Sequence, residues 1–181
     1  MTIVPGFIDC HNHADGNTLL YEVIVGNPYE VEFVTTASII DKLREKAQKT
    51  PPGFWVDGYF FDDTKVKDKW QLNRHDLDQV SADHPVVVHH RGGHTSYYNS
   101  KAFELSRIDK NTQNPMGGTY AHDDNGELNG RVTDRAREGF NKIGQRETFT
   151  SEQKEQRDRD GLAYISKQFV PYASGQKTGT R

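Results

Sequence analysis

The sequence predicts a mixed fold, of the α/β or α+β class. Three observations point there. Val86-Val87-Val88-His89-His90 is a short apolar run rich in β-branched residues. A Gly92-Gly93 turn and Thr95-Ser96-Tyr97-Tyr98 follow it, so the pair reads as a strand and its returning partner. Ile39, Ile40, Leu43 and Ala47 recur at helical spacing. Residues 119–122 and 127–133 flank Asp124-Asn125-Gly126, a strong hairpin signal.

The other elements follow in chain order. Pro5-Gly6 leads into Phe7-Ile8-Asp9-Cys10, a strand that ends in His11-Asn12-His13. Residues 21–34 alternate loosely around a Gly26-Asn27-Pro28 turn and read as a strand or an irregular entry. Ser38-Ile39-Ile40-Asp41 reads as a capping box for the helix that carries the Ile39 stripe, and Thr50-Pro51-Pro52-Gly53 stops it. Residues 54–61 are aromatic-rich and strand-like, with an interruption expected at Gly58. Residues 73–78 form a polar turn leading into a short helix or a further turn before Pro85. Asn99 is placed to cap a helix reaching about Arg107. A last helix is expected from near Ser151 to about Val170, with Leu162, Ile165 and Phe169 on one face and a solvated charge run over 152–160. Residues 175–181 read as a frayed end.

Composition narrows the function classes. At 181 residues the chain fits one domain, or one domain with an excursion. Mean hydropathy is -0.87. Leu, Ile, Val and Phe make up about 21%, just above the level that signals disorder. A net charge of -3 lacks the charge excess of disordered chains. The result is a folded but core-poor chain, suited to packing on more protein. A pI of about 6.2 with no basic stripe argues against nucleic acid. No apolar stretch approaches the length of a membrane span. Cys10 is the only cysteine, so no internal disulfide forms, and with no leader pattern the cytoplasm is the favoured compartment.

Chemistry concentrates in two places. His11 and His13 alternate onto one side of a strand, about 6.5–7 Å apart along the backbone. Two neutral imidazoles so placed can converge on a divalent metal, which needs three or four ligands in all. A bare His-x-His is most simply a surface pair; the Pro5-Gly6-Phe7-Ile8-Asp9 lead favours ligation here. The second place is His89, His90, Arg91, Gly92, Gly93 and His94. Glycines let a ligand approach the backbone closely, and histidines at a strand end can donate hydrogen bonds or carry protons. A hairpin of solvated His and Arg residues is an equal reading. Asp62-Asp63 and Asp123-Asp124 read as turn chemistry, and Cys10 as a packed thiol.

The order of motifs also carries a resemblance. It rests on Val4-Pro5-Gly6-Phe7-Ile8-Asp9 with His11 and His13, Pro52-Gly53-Phe54-Trp55-Val56-Asp57-Gly58, Arg74, Asp76-Leu77-Asp78 and Pro85-Val86-Val87-Val88. Gly93-His94, Asn99-Ser100-Lys101-Ala102-Phe103, Gly117-Gly118, Asn125-Gly126-Glu127 and Gly130 complete it. Over roughly residues 3–170 the chain resembles the amidohydrolase superfamily, in the family 3 branch that includes N-substituted formamide deformylase-like proteins. The resemblance implies a piece of a metal-dependent TIM barrel. Residues 1–14 would be the first barrel strand, 15–150 a mixed α/β insertion covering the site, 151–170 a helix returning to the barrel, and 171–181 a disordered tail. It implies one or two divalent ions, zinc as the expected metal, with His11 and His13 as ligands. His94, Arg91, His90 and Asn99 are the expected substrate contacts. Such enzymes hydrolyse a C–N bond of amide or formamide type in a small-molecule substrate with a metal-activated water.

The family's later ligands have no counterpart before Arg181. The chain is therefore expected to be an N-terminal fragment, natural or from a truncated reading frame, and inactive alone. The alternative is a non-catalytic module, the insertion binding a small ligand or partner around His90, Arg91 and His94. A third reading is self-association through exposed strand edges of an incomplete barrel.

Overall fold

The computed structural model describes residues 16–26, 33–68 and 71–173, with side chains as far as 167. The chain divides into two compact units, 23–147 and a second made of 1–22 with 148–181.

In the 23–147 unit the elements run β1 (Val23–Ile24), α1 (Thr36–Gln48), β2 (Val56–Phe61), a 3-10 turn at Asp63–Lys65 and α2 (Arg74–Asp78). Then come β3 (Val86–His90), β4 (Thr95–Tyr98), α3 (Ser100–Ser106), β5 (Gly118–His122), β6 (Leu128–Asp134) and a 3-10 helix at Arg135–Phe140. The strands form one sheet in the order β1-β2-β3-β4-β6-β5. β1, β2 and β3 run parallel, and the remaining pairs are antiparallel. The expected mixed α/β class is what is observed.

The sheet is buried on both faces. Val86 and Val88 pack into one core with Ile39, Leu43 and Leu77. Val87, between them, packs into the other with Trp55, Tyr98, Phe103 and Phe140. Side chains alternate along a strand, so a strand covered on both sides reads as an unbroken apolar run, which is why three valines stand in a row.

Two local expectations shift. The helix start lies upstream: Thr35 is the N-cap, its hydroxyl accepting from the Ser38 amide at 3.1 Å while the Ser38 hydroxyl accepts from the Thr35 amide at 3.0 Å. Ser38 is thus the third helical residue of the box, and Asp41 instead pairs with Arg44 at 2.7 Å on the exposed face. Gly58 does not interrupt β2. A Cβ there would stand 3.0 Å from side-chain carbons of both Leu43 and Val25, so glycine lets α1 sit close on the sheet. The irregularity falls two residues later, where Phe60 has φ 63° and the register to β3 shifts.

Three further elements match the sequence, while the expected turn at Gly26-Asn27-Pro28 lies in part outside the described residues. Asn73 caps α2 with Asp76 in a reciprocal box, Asn99 caps α3, and Asp123 accepts from the Asn125 and Glu127 amides in the β5–β6 turn. The 3-10 helix was not legible in the sequence. Its Phe140 stacks on Tyr98 with ring centroids 3.9 Å apart.

In the second unit, α4 (Gly16–Tyr21) lies against α5 (Ser151–Ala173). A Cβ on Gly16 would fall 2.0 Å from the Gly161 carbonyl oxygen, so the two glycines form the crossing point. Arg157 lies over the Tyr21 and Phe149 rings and pairs with Glu22 at 2.8 Å. Ile165 is buried, but Leu162 is 60% exposed and does not share its burial. α5 continues through Ala173, into the segment expected as tail. The expectations for residues 1–14 and 174–181, and for the Phe169 side chain, lie outside the described residues.

Candidate functional site

The β3–β4 turn brings His90, Arg91 and His94 to one end of the sheet, and each reaches an aspartate. His90 Nε2 is 3.4 Å from Asp63 Oδ1, while its Nδ1 accepts from the Gly92 amide at 3.1 Å. Arg91 Nε stands 3.0 Å from Oδ2 of the buried Asp62. His94 Nδ1 lies 2.9 Å from Asp134 Oδ1 with its side chain 82% exposed.

Each partner is placed for a local reason. Asp62 caps the Asp63–Lys65 turn, accepting from the Thr64 amide and hydroxyl. Burial alone would raise the Asp62 carboxyl pKa, but the Thr64 hydrogen bonds and the Arg91 charge outweigh it and hold the group below its ordinary value. The turn reading of Asp62-Asp63 therefore stands, with ion pairing added. Asp134 ends β6 at φ 46°, ψ -124°, a conformation costly for a residue with a side chain. Its amide donates to the His94 carbonyl at 2.8 Å.

Asn99 does not join this group. It follows β4 at the end away from His94, about 13 Å along a four-residue strand, and is fully buried. Its Oδ1 accepts from the Val86 and Ala102 amides, both at 3.0 Å, and its Nδ2 donates to the His84 carbonyl at 3.0 Å. The whole amide is committed to backbone, which makes Asn99 a structural cap rather than the expected substrate contact.

Beside the His94–Asp134 pair lies a cavity of about 440 Å³ that sequence reasoning missed. Trp55, Tyr98 and Phe140 form apolar wall, His89 and Arg137 line it, and Arg146 stands over the Trp55 ring at 5.0 Å. Arg146 also pairs with Asp57. Strand alternation carried the signal for His89: it must share the face of Val87, opposite His90. Nothing local placed Trp55, which follows the Pro52-Gly53 turn, beside residues some eighty positions later.

Burial is the main reason the His89 pKa falls to about 4, with the Arg146 and Arg137 charges adding to it. A histidine whose pKa is lowered on folding binds fewer protons than the unfolded chain between the two values. Stability is therefore complete above about pH 6.5, falls as the pH drops toward 4, and levels off below that. The loss is expected to reach about 3 kcal/mol. Urea unfolding midpoints measured across that window check it, and His89→Gln should remove that share of the slope.

Among the described residues, no group of three or more His, Cys, Asp or Glu could hold a metal ion. His11 and His13 lie outside the described residues.

The sequence profile of the amidohydrolase family matches residues 1–173, and the chain belongs to that family. It is 29% identical over 140 residues to an N-substituted formamide deformylase of Arthrobacter pascens, covering 75% of this chain and 24% of that protein. It is 27% identical over 143 residues to the protein LONG AFTER FAR-RED 3 of Arabidopsis thaliana, covering 75% and 22% respectively. An uncharacterized metal-dependent hydrolase from Pyrococcus furiosus superposes with a TM-score of 0.46 at 21% identity, over 92% of this chain and 30% of that one. The chain spans about a quarter of the length of the relatives it matches.

Proposed function

We propose that this chain is one part of a longer metal-dependent hydrolase of C–N bonds, amide or formamide in type. In this reading His11 and His13 supply two ligands to a divalent ion, zinc in expectation, and within the 23–147 unit His94, Arg91 and His90 offer polar groups to a small molecule. Membership of the family and the relative named as a formamide deformylase support the reaction class. One observation carries the role of this unit: the exposed His94 imidazole is held by Asp134. With Nδ1–H donating to the carboxylate, the tautomer is set and Nε2 is left as an outward acceptor. It can take a hydrogen bond from a substrate N–H. Arg91 keeps guanidinium donors for a carbonyl or carboxylate, since Asp62 occupies only one side of its fork.

The chain alone is expected to show negligible turnover, because two histidines set neither geometry nor a nucleophile. Its zinc affinity should be about 5–8 kcal/mol, micromolar to sub-millimolar, since half a ligand set gives about half the binding energy of a complete one. Competition with a chromophoric chelator measures this. Sub-micromolar binding that vanishes in His11→Ala would show a more complete site and overturn the half-site reading.

A second reading is favoured by the 23–147 unit having its own core on both sheet faces. It would serve as a ligand-binding module without catalysis. Thermal shift against a metabolite panel separates the two, because stabilisation by a ligand that persists in chelator favours the module.

A further inference from the structure

The chain contains two Asn-Gly steps, Asn125-Gly126 and Asn129-Gly130, and the fold treats them oppositely. An asparagine followed by glycine is open to attack by the next backbone nitrogen on its own side-chain carbonyl carbon. Glycine has no Cβ to shield that nitrogen or to restrict the main chain around it. Ring closure requires the main chain at the asparagine to rotate and the carboxamide to be free to meet the nitrogen. Local structure decides both.

Asn125 meets both conditions. It is exposed in the β5–β6 turn, with Gly126 exposed beside it. The turn is a three-residue loop: the Gly126 amide donates to the Asp123 carbonyl at 3.0 Å, and the Asp123 amide donates to the Glu127 carbonyl at 2.8 Å. Gly126 takes the left-handed conformation that such loops require, at φ 78°. Asn125 is fixed through its backbone amide, which donates to Asp123 Oδ1 at 2.9 Å. Opening the Gly126 bond frees the attacking nitrogen.

Asn129 meets neither. It stands in β6. Its Nδ2 donates to the His122 carbonyl at 3.2 Å, and its Oδ1 accepts from the Arg131 amide at 2.9 Å. Gly130 is buried, and a Cβ there would stand 2.6 Å from the Arg74 amide nitrogen, so the main chain has no room to swing. Two nearby asparagines lack a glycine: Asn111 precedes the β-branched Thr112, and Asn114 precedes Pro115, which has no N–H.

We propose that Asn125 is a site of spontaneous covalent modification, converted to aspartate and isoaspartate, while the fold protects Asn129. The Gly126 nitrogen gives up its proton to solvent base and bonds to Asn125 Cγ. The Cγ–Nδ2 bond breaks, and the side-chain nitrogen takes up a proton and leaves as ammonia. Water then opens the five-membered imide at either carbonyl. One opening gives aspartate; the other gives isoaspartate, in which the main chain runs through Cβ and Cγ. Either product places a carboxylate beside Asp123, Asp124 and Glu127. Isoaspartate also adds a main-chain atom inside the loop, where Asp123 Oδ1 accepts from the Asn125 and Glu127 amides, both at 2.9 Å. The modification therefore loosens the β5–β6 turn. This site stands apart from the hydrolase reading, since it needs neither a metal nor the 1–14 segment.

The test incubates the full chain at mildly alkaline pH, one sample folded and one unfolded in urea. Trypsin then releases residues 111–131 as one peptide holding Asn111, Asn114, Asn125 and Asn129, so fragment masses compare all four in each digest. Digestion in heavy-oxygen water marks any conversion made during handling. In the folded chain Asn125 is expected to convert at least tenfold faster than Asn129, because reaction at Asn129 must wait for the strand to open. In urea the two Asn-Gly steps should converge, and both should outpace Asn111 and Asn114. Electron-transfer fragmentation should find isoaspartate together with aspartate at position 125, the mark of the imide. Asn125→Gln, which would need a larger ring, should remove the reaction there. Equal rates at Asn125 and Asn129 in the folded chain would overturn the proposal. So would an Asn125 that converts in urea but not when folded, or aspartate without isoaspartate.

Discussion

Replacing Asn99 by alanine is expected to destabilise the 23–147 unit by about 3–5 kcal/mol, the sum of lost cap and orphaned polar groups. The side chain is fully buried and satisfies three backbone groups at once. Two are amides, of Val86 at the start of β3 and of Ala102 in the first turn of α3; the third is the His84 carbonyl. Each group left unpaired in a dry interior costs about 1–3 kcal/mol, less where water enters. The loss is a large share of the roughly 5–15 kcal/mol that holds a domain folded. Urea unfolding gives the value from the midpoint. Asn99→Asp keeps the acceptor for both amides but turns a carboxylate oxygen toward the His84 carbonyl. It should therefore also destabilise, and more at neutral than at acid pH, where protonation restores a donor. A loss below about 1 kcal/mol in Asn99→Ala would show that the amide is dispensable and reopen a ligand role for it.

Gly130→Ala should cost a similar amount, about 3–5 kcal/mol, for a different reason. Gly130 lies in β6 at φ 101°, where a Cβ would stand 2.6 Å from the Arg74 amide nitrogen and 2.9 Å from the Tyr98 carbonyl oxygen. Both are backbone atoms, on α2 and β4, so neither can rotate away. The substitution must push α2 off the sheet or bend the strand. Gly126→Ala separates strain from crowding. Gly126 has φ 78° in the β5–β6 turn, but its Cβ would meet nothing within 4 Å. It should lose only about 1–2 kcal/mol of backbone strain. Equal losses at the two positions would refute the crowding argument.

The elements that were legible in the sequence have local causes. Val86-Val87-Val88 is a strand in any context that covers both its faces, and Asn99 caps a helix because its side chain reaches amides three residues on. The Asp123 turn closes on its own backbone. The misreadings were also local. At the start of α1, two overlapping Ser/Thr-x-x patterns compete, and the choice of Thr35 over Ser38 follows from where the preceding chain arrives: Val34 pairs with Lys65 and Lys67. At β2, Gly58 looks like a break, and only the approach of Leu43 and Val25 shows it to be a packing position.

The site divides in the same way. His90, Arg91 and His94 lie within one turn, so the sequence alone put them together. Their aspartates come from the turn that follows β2 and from the end of β6, and those pairings exist because β3 lies beside β2 and β4 beside β6. The amidohydrolase family, the mixed α/β class and the polar turn were thus determined by short-range pattern. The exclusion of Asn99 from the site, the Asp134 partner of His94 and the aromatic cavity around His89 were decided only by tertiary structure. Burial and strand register act between residues tens of positions apart, and no local spacing encodes them.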